Sequence, residues 1–336
     1  MSCDELRPEP ARGTERFAAL TRRTSSQAFG VAALVALALS GCSLGTAAPE
    51  TSTRLLVTQE FGARPGVQID TPKGRSGETA LRLLEQNAEV RRDSRGGDVR
   101  SIDGQAVGRR PGRPDRWALY VNGVAPEQGA GATEVRAGDR LWWDRHETSA
   151  GRAAAVVGSF PEPFLHGYDG DRLPTRLECT EPRTPACTRV GTRLAEAGVV
   201  VGKGGLQTSL SRQTNRVIVG LWPAVRNDET VRSLEDGPGV SGVFAKPARD
   251  GRALAILDAR GRVAQTLGPG SGLVAATRFE GGRPVWLVTG TDEAGLLAAA
   301  DAVREGDLGS HFALAVSDGQ AVDVPLVGPS PAADGG

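Results

Sequence analysis

Trp117-Ala118-Leu119-Tyr120-Val121-Asn122-Gly123 is the stretch on which the reading of this chain turns. A strand points successive side chains to opposite faces, so Trp117, Leu119 and Val121 fall on one side and Ala118 and Tyr120 on the other. Asn-Gly supplies the positive φ angles of a tight hairpin turn, so the chain is expected to reverse at Asn122-Gly123. Beyond the turn, Glu134–Asp139 leads into Arg140–His146 (RLWWDRH), a second strand. Upstream, Gly77–Val90 predicts a helix, with Ala80, Leu83, Leu84 and Ala88 on one apolar face and Ser76 as its cap. Arg54–Phe61 (RLLVTQEF) predicts a first strand, Gly62–Lys73 turns, and Arg91–Asp98 a polar loop or strand edge. The order of strand, helix, strand and hairpin predicts a small α+β domain over residues 53–148, its helix covering one face of a mixed sheet.

Trp117–Gly123, followed by Gly129, Val135, Gly138-Asp139 and Trp142, resembles the C-terminal-like domain of transcobalamin and intrinsic factor, a module also found in bacterial surface lipoproteins. The resemblance covers about 95 residues and implies a β-grasp-like fold. In the vitamin carriers this domain forms one side of a cobalamin pocket, so cobalamin enters here by resemblance alone; no cofactor is otherwise expected. Two readings of the motif stand side by side. In one, Gly123 serves a turn, Asp139 terminates a strand and the aromatic residues fill a small core. In the other, Trp142 or Trp143, which face opposite sides of their strand, is exposed beside Asp144, Arg145 and His146 as a ligand surface.

Residues 153–327 show a different pattern. Gly158–Asp171 (GSFPEPFLHGYDGD) is a loop holding Phe160, Phe164, His166 and Tyr168, either a binding element or a plug between domains. Strands are predicted at Arg176–Cys179, Asn215–Trp222, Gly242–Ala245, Ala253–Leu257, Val263–Leu267, Pro284–Thr289 and finally His311–Val316. Helices are predicted at Cys187–Ala197, Asn227–Glu235 and Glu293–Val303. This alternation predicts an α/β domain, giving an α+β chain in which a β-grasp-like N-terminal domain precedes an α/β C-terminal one; residues 328–336 read as a disordered tail. Thr289, Thr291 and Asp292, between an apolar strand and a helix, are either a ligand site beyond a strand end or ordinary capping chemistry. Gly202–Gly205 (GKGG) lacks the order of a phosphate loop, and Gly268–Gly272 (GPGSG) is not followed by the helix of a dinucleotide fingerprint.

The N-terminal region decides the expected compartment. Arg22 and Arg23 precede the apolar run Phe29–Leu39, and Ser40-Gly41 follow it, the pattern of an export signal too short to span a bilayer comfortably. Leu39-Ser40-Gly41-Cys42 resembles a bacterial lipobox. The resemblance implies removal of residues 1–41, acylation (palmitate among the chains) at Cys42, a tether over 42–52 and a lipid-anchored place on the extracytoplasmic face of the cell membrane. Forty Lys+Arg balance forty Asp+Glu, which argues against a nucleic-acid partner. Of the four Cys, Cys3 lies in the removed region and Cys42 at the anchor. Cys179 and Cys187 remain, as a disulfide permitted by an oxidising compartment or as two thiols, and their spacing without a nearby His fits no strong zinc pattern.

With three His in the chain, no Gly-x-Ser-x-Gly elbow beyond the lipobox (where Gly41–Gly45 spell the pattern) and no carboxylate pair that spacing can assign, catalysis is not the first expectation. The sequence reads as a non-catalytic surface lipoprotein that binds a small molecule, an envelope polymer or an envelope protein. Its candidate ligand residues are Trp142, Trp143, Asp144, His146, Phe164, His166, Tyr168, Thr289, Thr291 and Asp292, with no metal. The alternatives are a structural or protein-interaction component of the envelope and, third, a wall-acting hydrolase.

Overall fold

The structure, a computed structural model, describes residues 52–94, 97–110, 113–206, 213–278 and 282–328. The export signal and Cys42 lie outside them. Arg54–Gln59 (β1) runs antiparallel to Arg64–Ile69 (β2), where the sequence predicts turns only. Pro65 is tolerated there because β2 is an edge strand and needs no N–H on its outer side. The helix α1 spans Ala80–Asn87 and is capped by Thr79 rather than Ser76: the Thr79 hydroxyl accepts from the Arg82 N–H at 3.2 Å. Gly77, at φ +89°, lies outside helical geometry and delays the start. Val90–Arg92 (β3), Val99–Ile102 (β4) and Gln105–Ala106 (β5) make a small sheet. Arg109–Arg110 (β6), Arg113–Val121 (β7) and Arg140–Glu147 (β8) complete the first large sheet, ordered β2-β1-β8-β7-β6, with β8 parallel to β1 and antiparallel to β7.

The period-two pattern predicted for β7 holds. Trp117, Leu119 and Val121 join Leu55, Val57, Leu141 and Trp143 in a core under α1, while Tyr120 and Trp142 face the other way. That second face is covered as well. Phe61, Tyr120 and Trp142 share one core with Phe244 and Phe312, and the Phe312 ring stands 5.3 Å from Tyr120 and 5.1 Å from Trp142, edge-on to both. The described residues accordingly belong to one compact unit.

The second sheet has seven strands. Thr175–Cys179 (β9), Val201–Gly205 (β10) and Asn215–Val219 (β11) are followed by a small antiparallel sheet, Ala245–Pro247 (β12), Leu254–Leu257 (β13) and Val263–Leu267 (β14). Gly272–Arg278 (β15), Pro284–Gly290 (β16), Ala313–Ser317 (β17) and Gln320–Val324 (β18) complete the large sheet, ordered β10-β9-β11-β16-β15-β17-β18. Its first four strands are parallel, and β15, β17 and β18 run antiparallel to their neighbours. Two of these strands escape the sequence reading. Residues 272–277 of β15 are all buried, so no polar alternation marks it; β18 follows a turn at Asp318-Gly319, both at positive φ, so β17 is not the last strand.

Pro185–Glu196 (α2) and Glu293–Asp301 (α6) pack together on one face of this sheet. Between them in sequence come three single-turn helices, Trp222–Val225 (α3), Glu229–Arg232 (α4) and Pro238–Ser241 (α5), and after them Glu305–Leu308 (α7). The single helix expected over residues 227–235 is α4 continued by a 3₁₀ turn. Cys179 at the end of β9 is disulfide-bonded to Cys187 in the first turn of α2. The architecture is mixed α+β. No helix among the described residues is long and apolar enough to cross a membrane.

Candidate functional site

The hairpin turn after β7 builds the site. Asn122 sits at φ +52°, a left-handed conformation that Asn tolerates. Its buried amide Nδ2 donates to Asp139 Oδ1 at 2.7 Å and to the Gly167 carbonyl at 2.8 Å, and its Oδ1 accepts from the Arg140 N–H at 2.8 Å. Asp139 Oδ2 accepts from the Arg136 N–H at 2.7 Å. Burial pushes the Asp139 carboxyl above its usual range, against the pull of those two donors. The Asn and Asp of the sequence motif thus clip the hairpin to the 158–171 loop.

That loop is anchored by Phe160 and Phe164, whose rings lie 5.9 and 5.1 Å from Trp286. Glu162, fully buried, accepts from the His166 N–H at 2.9 Å, and its Oε1 lies 2.6 Å from His166 Nδ1. A carboxylate partner favours a proton on Nδ1 and raises the histidine pKa. Nε2 is buried without a hydrogen-bond partner, and it lies over Gly138, where an added Cβ would stand only 2.6 Å away. Gly138 is therefore required twice, by this contact and by its φ of +87°. The Tyr168 hydroxyl donates to the Ala125 carbonyl at 3.3 Å, and the Arg278 guanidinium lies 5.4 Å from the Tyr168 ring centroid.

Asn122, Asp139, Arg136, His166 and Tyr168 line one cavity of about 230 Å³. Its groups carry both signs of charge, with hydrogen-bond donors and acceptors mixed. Among the described residues, no group of three His, Cys, Asp or Glu side chains is placed to hold a metal ion.

The other sequence candidates lie elsewhere. Trp142 and Trp143 do face opposite sides of β8, but both are buried, because α1 covers one face and Phe312 the other. The exposed-tryptophan surface is therefore corrected to core packing, and Phe164 with it. Asp144 is the centre of a buried network: it accepts from the Thr58 hydroxyl at 2.5 Å and from the N–H groups of Phe61 and Gly62 at 3.0 and 2.9 Å, with His146 Nδ1 at 2.8 Å. Trp142 Nε1 donates to the Thr58 hydroxyl at 2.7 Å. Thr58 and His146 meet the same carboxylate rather than each other, so His146 is not placed to take the Thr58 proton.

The strand-end candidates form caps. Asp292 accepts from the N–H groups of Gly295 and Gly270 at 2.8 and 2.7 Å. Thr291 Oγ1 accepts from the Ser271 N–H at 3.0 Å, and Thr289 is buried in β16. The crevice beside them, about 10 Å³, holds at most one water. Of the predicted residues, His166 and Tyr168 reach the cavity; in the sequence Asn122 and Asp139 carry only a turn and strand-end signature, and Arg136 none. The Glu162–His166 spacing of four residues, within a loop of consecutive turns, is the available signal for that pair.

Residues 77–147 match DUF4430, a domain of unknown function. The match holds α1, β7, β8 and the Asn122–Asp139 clip, and ends before the loop that carries His166. The chain matches none of the curated proteins. Among solved structures, one described as a "putative metal binding protein" from Ruminococcus gnavus is 16% identical, over 29% of this chain and 98% of its own, with a TM-score of 0.23. A likeness that slight carries no argument for this chain.

Proposed function

We propose that this is a non-catalytic binding protein of the extracytoplasmic membrane face, anchored through Cys42, that takes a small polar solute or the end of an envelope polymer. In this reading residues 53–148 are a β-grasp-like domain, residues 153–327 an α/β domain, and the ligand sits where they meet. The observation that carries it is the convergence of Asn122, Asp139, His166 and Tyr168, from three segments spread along the chain, on one polar cavity. The Cys179–Cys187 disulfide suits an oxidising compartment and so supports export. A cavity of about 230 Å³ is below the roughly 300–1,000 Å³ of drug-sized pockets. Cobalamin, far larger, does not fit it, and no step of the reading uses cobalamin.

Native mass spectrometry of the intact protein mixed with an envelope extract tests the ligand. A stoichiometric adduct that Tyr168→Ala or Arg136→Ala removes is the expected result; no adduct, or one indifferent to both changes, overturns the reading. Cys42→Ser is expected to release the folded protein from the membrane fraction, and unchanged retention would refute the anchor.

A further inference from the structure

The strand β7 is nine residues long, yet its outer neighbour β6 pairs only with Arg113 and Pro114. The Pro114 carbonyl accepts from Thr148 and the Asn122 N–H donates to Arg140, so the even-numbered residues of β7 turn their backbone groups toward β8. Trp117 and Leu119 turn theirs outward, where nothing among the described residues pairs with them. The open edge ends at Val121, which is closed by exchange with Val124. From Asp115 to Leu119 this is roughly 14 Å of strand at about 3.4 Å per residue.

This edge borders a cavity of about 420 Å³, which reaches both faces of β7. The two sides differ. On the face of Trp117 and Leu119 the lining along the strand is apolar, with Val99 and Val107, and it becomes charged at the Asp115 end, where Asp98, Arg100 and Asp115 stand. On the face of Tyr120 it is basic, with Arg116 and Arg152, both exposed and neither in an ion pair among the described residues.

We propose that the open edge of β7 takes up an extended polypeptide segment in which acidic side chains alternate with apolar ones. An added strand continues the alternation of the sheet, so every second side chain meets the apolar side and the others meet Arg116 and Arg152. Backbone pairing to Trp117 and Leu119 supplies binding, and the two sides supply selection. A second copy of the chain suits the edge poorly, because pairing β7 with β7 would bring Arg116 and Arg152 of both copies to one face. The cavity adjoins the His166 cavity, with Pro126 and Gln128 lining both, but the inference rests on the β7 edge and not on the reading of that site.

The test uses the full chain and a labelled ten-residue peptide of alternating Val and Glu. Controls are the Val/Lys peptide and a Val/Glu peptide N-methylated on the amides of one edge. Binding with a Kd below about 1 mM is expected, together with slowed hydrogen exchange at the Trp117 and Leu119 amides and about tenfold weaker binding of either control. Exchanging Arg116→Glu and Arg152→Glu together should reverse the preference between Glu and Lys peptides. Equal affinity for the two peptides, unchanged exchange at both amides with 1 mM Val/Glu peptide, or a dimer of the chain alone that already protects them would each overturn the proposal. The wild-type comparison decides the matter even where the double variant does not fold.

Discussion

Asn122 and Asp139, seventeen residues apart, bond to each other at 2.7 Å and together hold the hairpin against the 158–171 loop. Asn122 makes three hydrogen bonds through its side chain, and removing it leaves the Asp139 Oδ1 and the Gly167 carbonyl without a donor. Asn122→Ala should lower stability by about 1–3 kcal/mol, measured by denaturant unfolding of the full chain. Asn122→Asp should cost at least as much, since it sets a second carboxylate against Asp139. A loss under about 0.5 kcal/mol in both would show that the clip is not structural.

Gly138→Ala forces a side chain at φ +87° and places its Cβ 2.5 Å from His166 Cδ2. The expected loss exceeds about 1 kcal/mol. Part of it arises from the ring, so Gly138→Ala made in a His166→Ala background should cost less, and the double-mutant cycle reads the difference. Strict additivity would mean that the ring yields without cost.

The Asp144 network should be the least tolerant polar feature of the core. Asp144→Ala strands the Thr58 hydroxyl, two backbone N–H groups and His146 in a buried site, with an expected loss of about 3 kcal/mol or more. Thr58→Val removes one hydroxyl and leaves the other donors to Asp144 in place, so it should cost less. The reverse ranking in thermal unfolding would place the weight on Thr58.

His166 gives a pH dependence of known sign. Its pKa is raised in the folded state, chiefly by the hydrogen bond to Glu162, so its protonation stabilises the fold fully below the unfolded value of about 6.5. That contribution is lost as pH rises through the native pKa. The stability gap between wild type and His166→Gln should shrink across that window. Glu162→Gln should lower the His166 midpoint followed by NMR of the ring, and an unmoved midpoint would assign the shift elsewhere.

Joining Cys179 and Cys187 closes a loop with a sequence separation of 8, worth about 2–3 kcal/mol in the loop-entropy account. Replacing both by Ala should lower the unfolding free energy by that amount with the fold retained. A much larger loss would mean that the bond also positions α2 against β9.

Much of the secondary structure was legible because it rests on local chemistry. The alternation in Trp117–Val121 marked a strand with two distinct faces, Asn122-Gly123 marked its reversal, and Asp292 marked the start of α6. Where the pattern is uniform the reading fails: β15 is buried on both faces and shows no alternation, and β2 hides behind Pro65 because an edge strand can carry a proline.

The candidate site divides along the same line. The residue types were visible in sequence, including Asn122, Asp139, His166 and the aromatic loop. Period two alone told that Trp142 and Trp143 face apart, but not that α1 would bury one and Phe312, 170 residues beyond it, the other. Nor could spacing tell that Glu162 and His166 would close over Gly138, beside Asn122 and Asp139. The period of β7, the Asn122-Gly123 turn and the Asp292 cap were determined by sequence alone, since these depend on neighbours a few residues away. Burial, the orphaned Nε2 of His166 and the open edge of β7 were decided only by tertiary structure, because each depends on which distant segment arrives, or fails to arrive, at that surface.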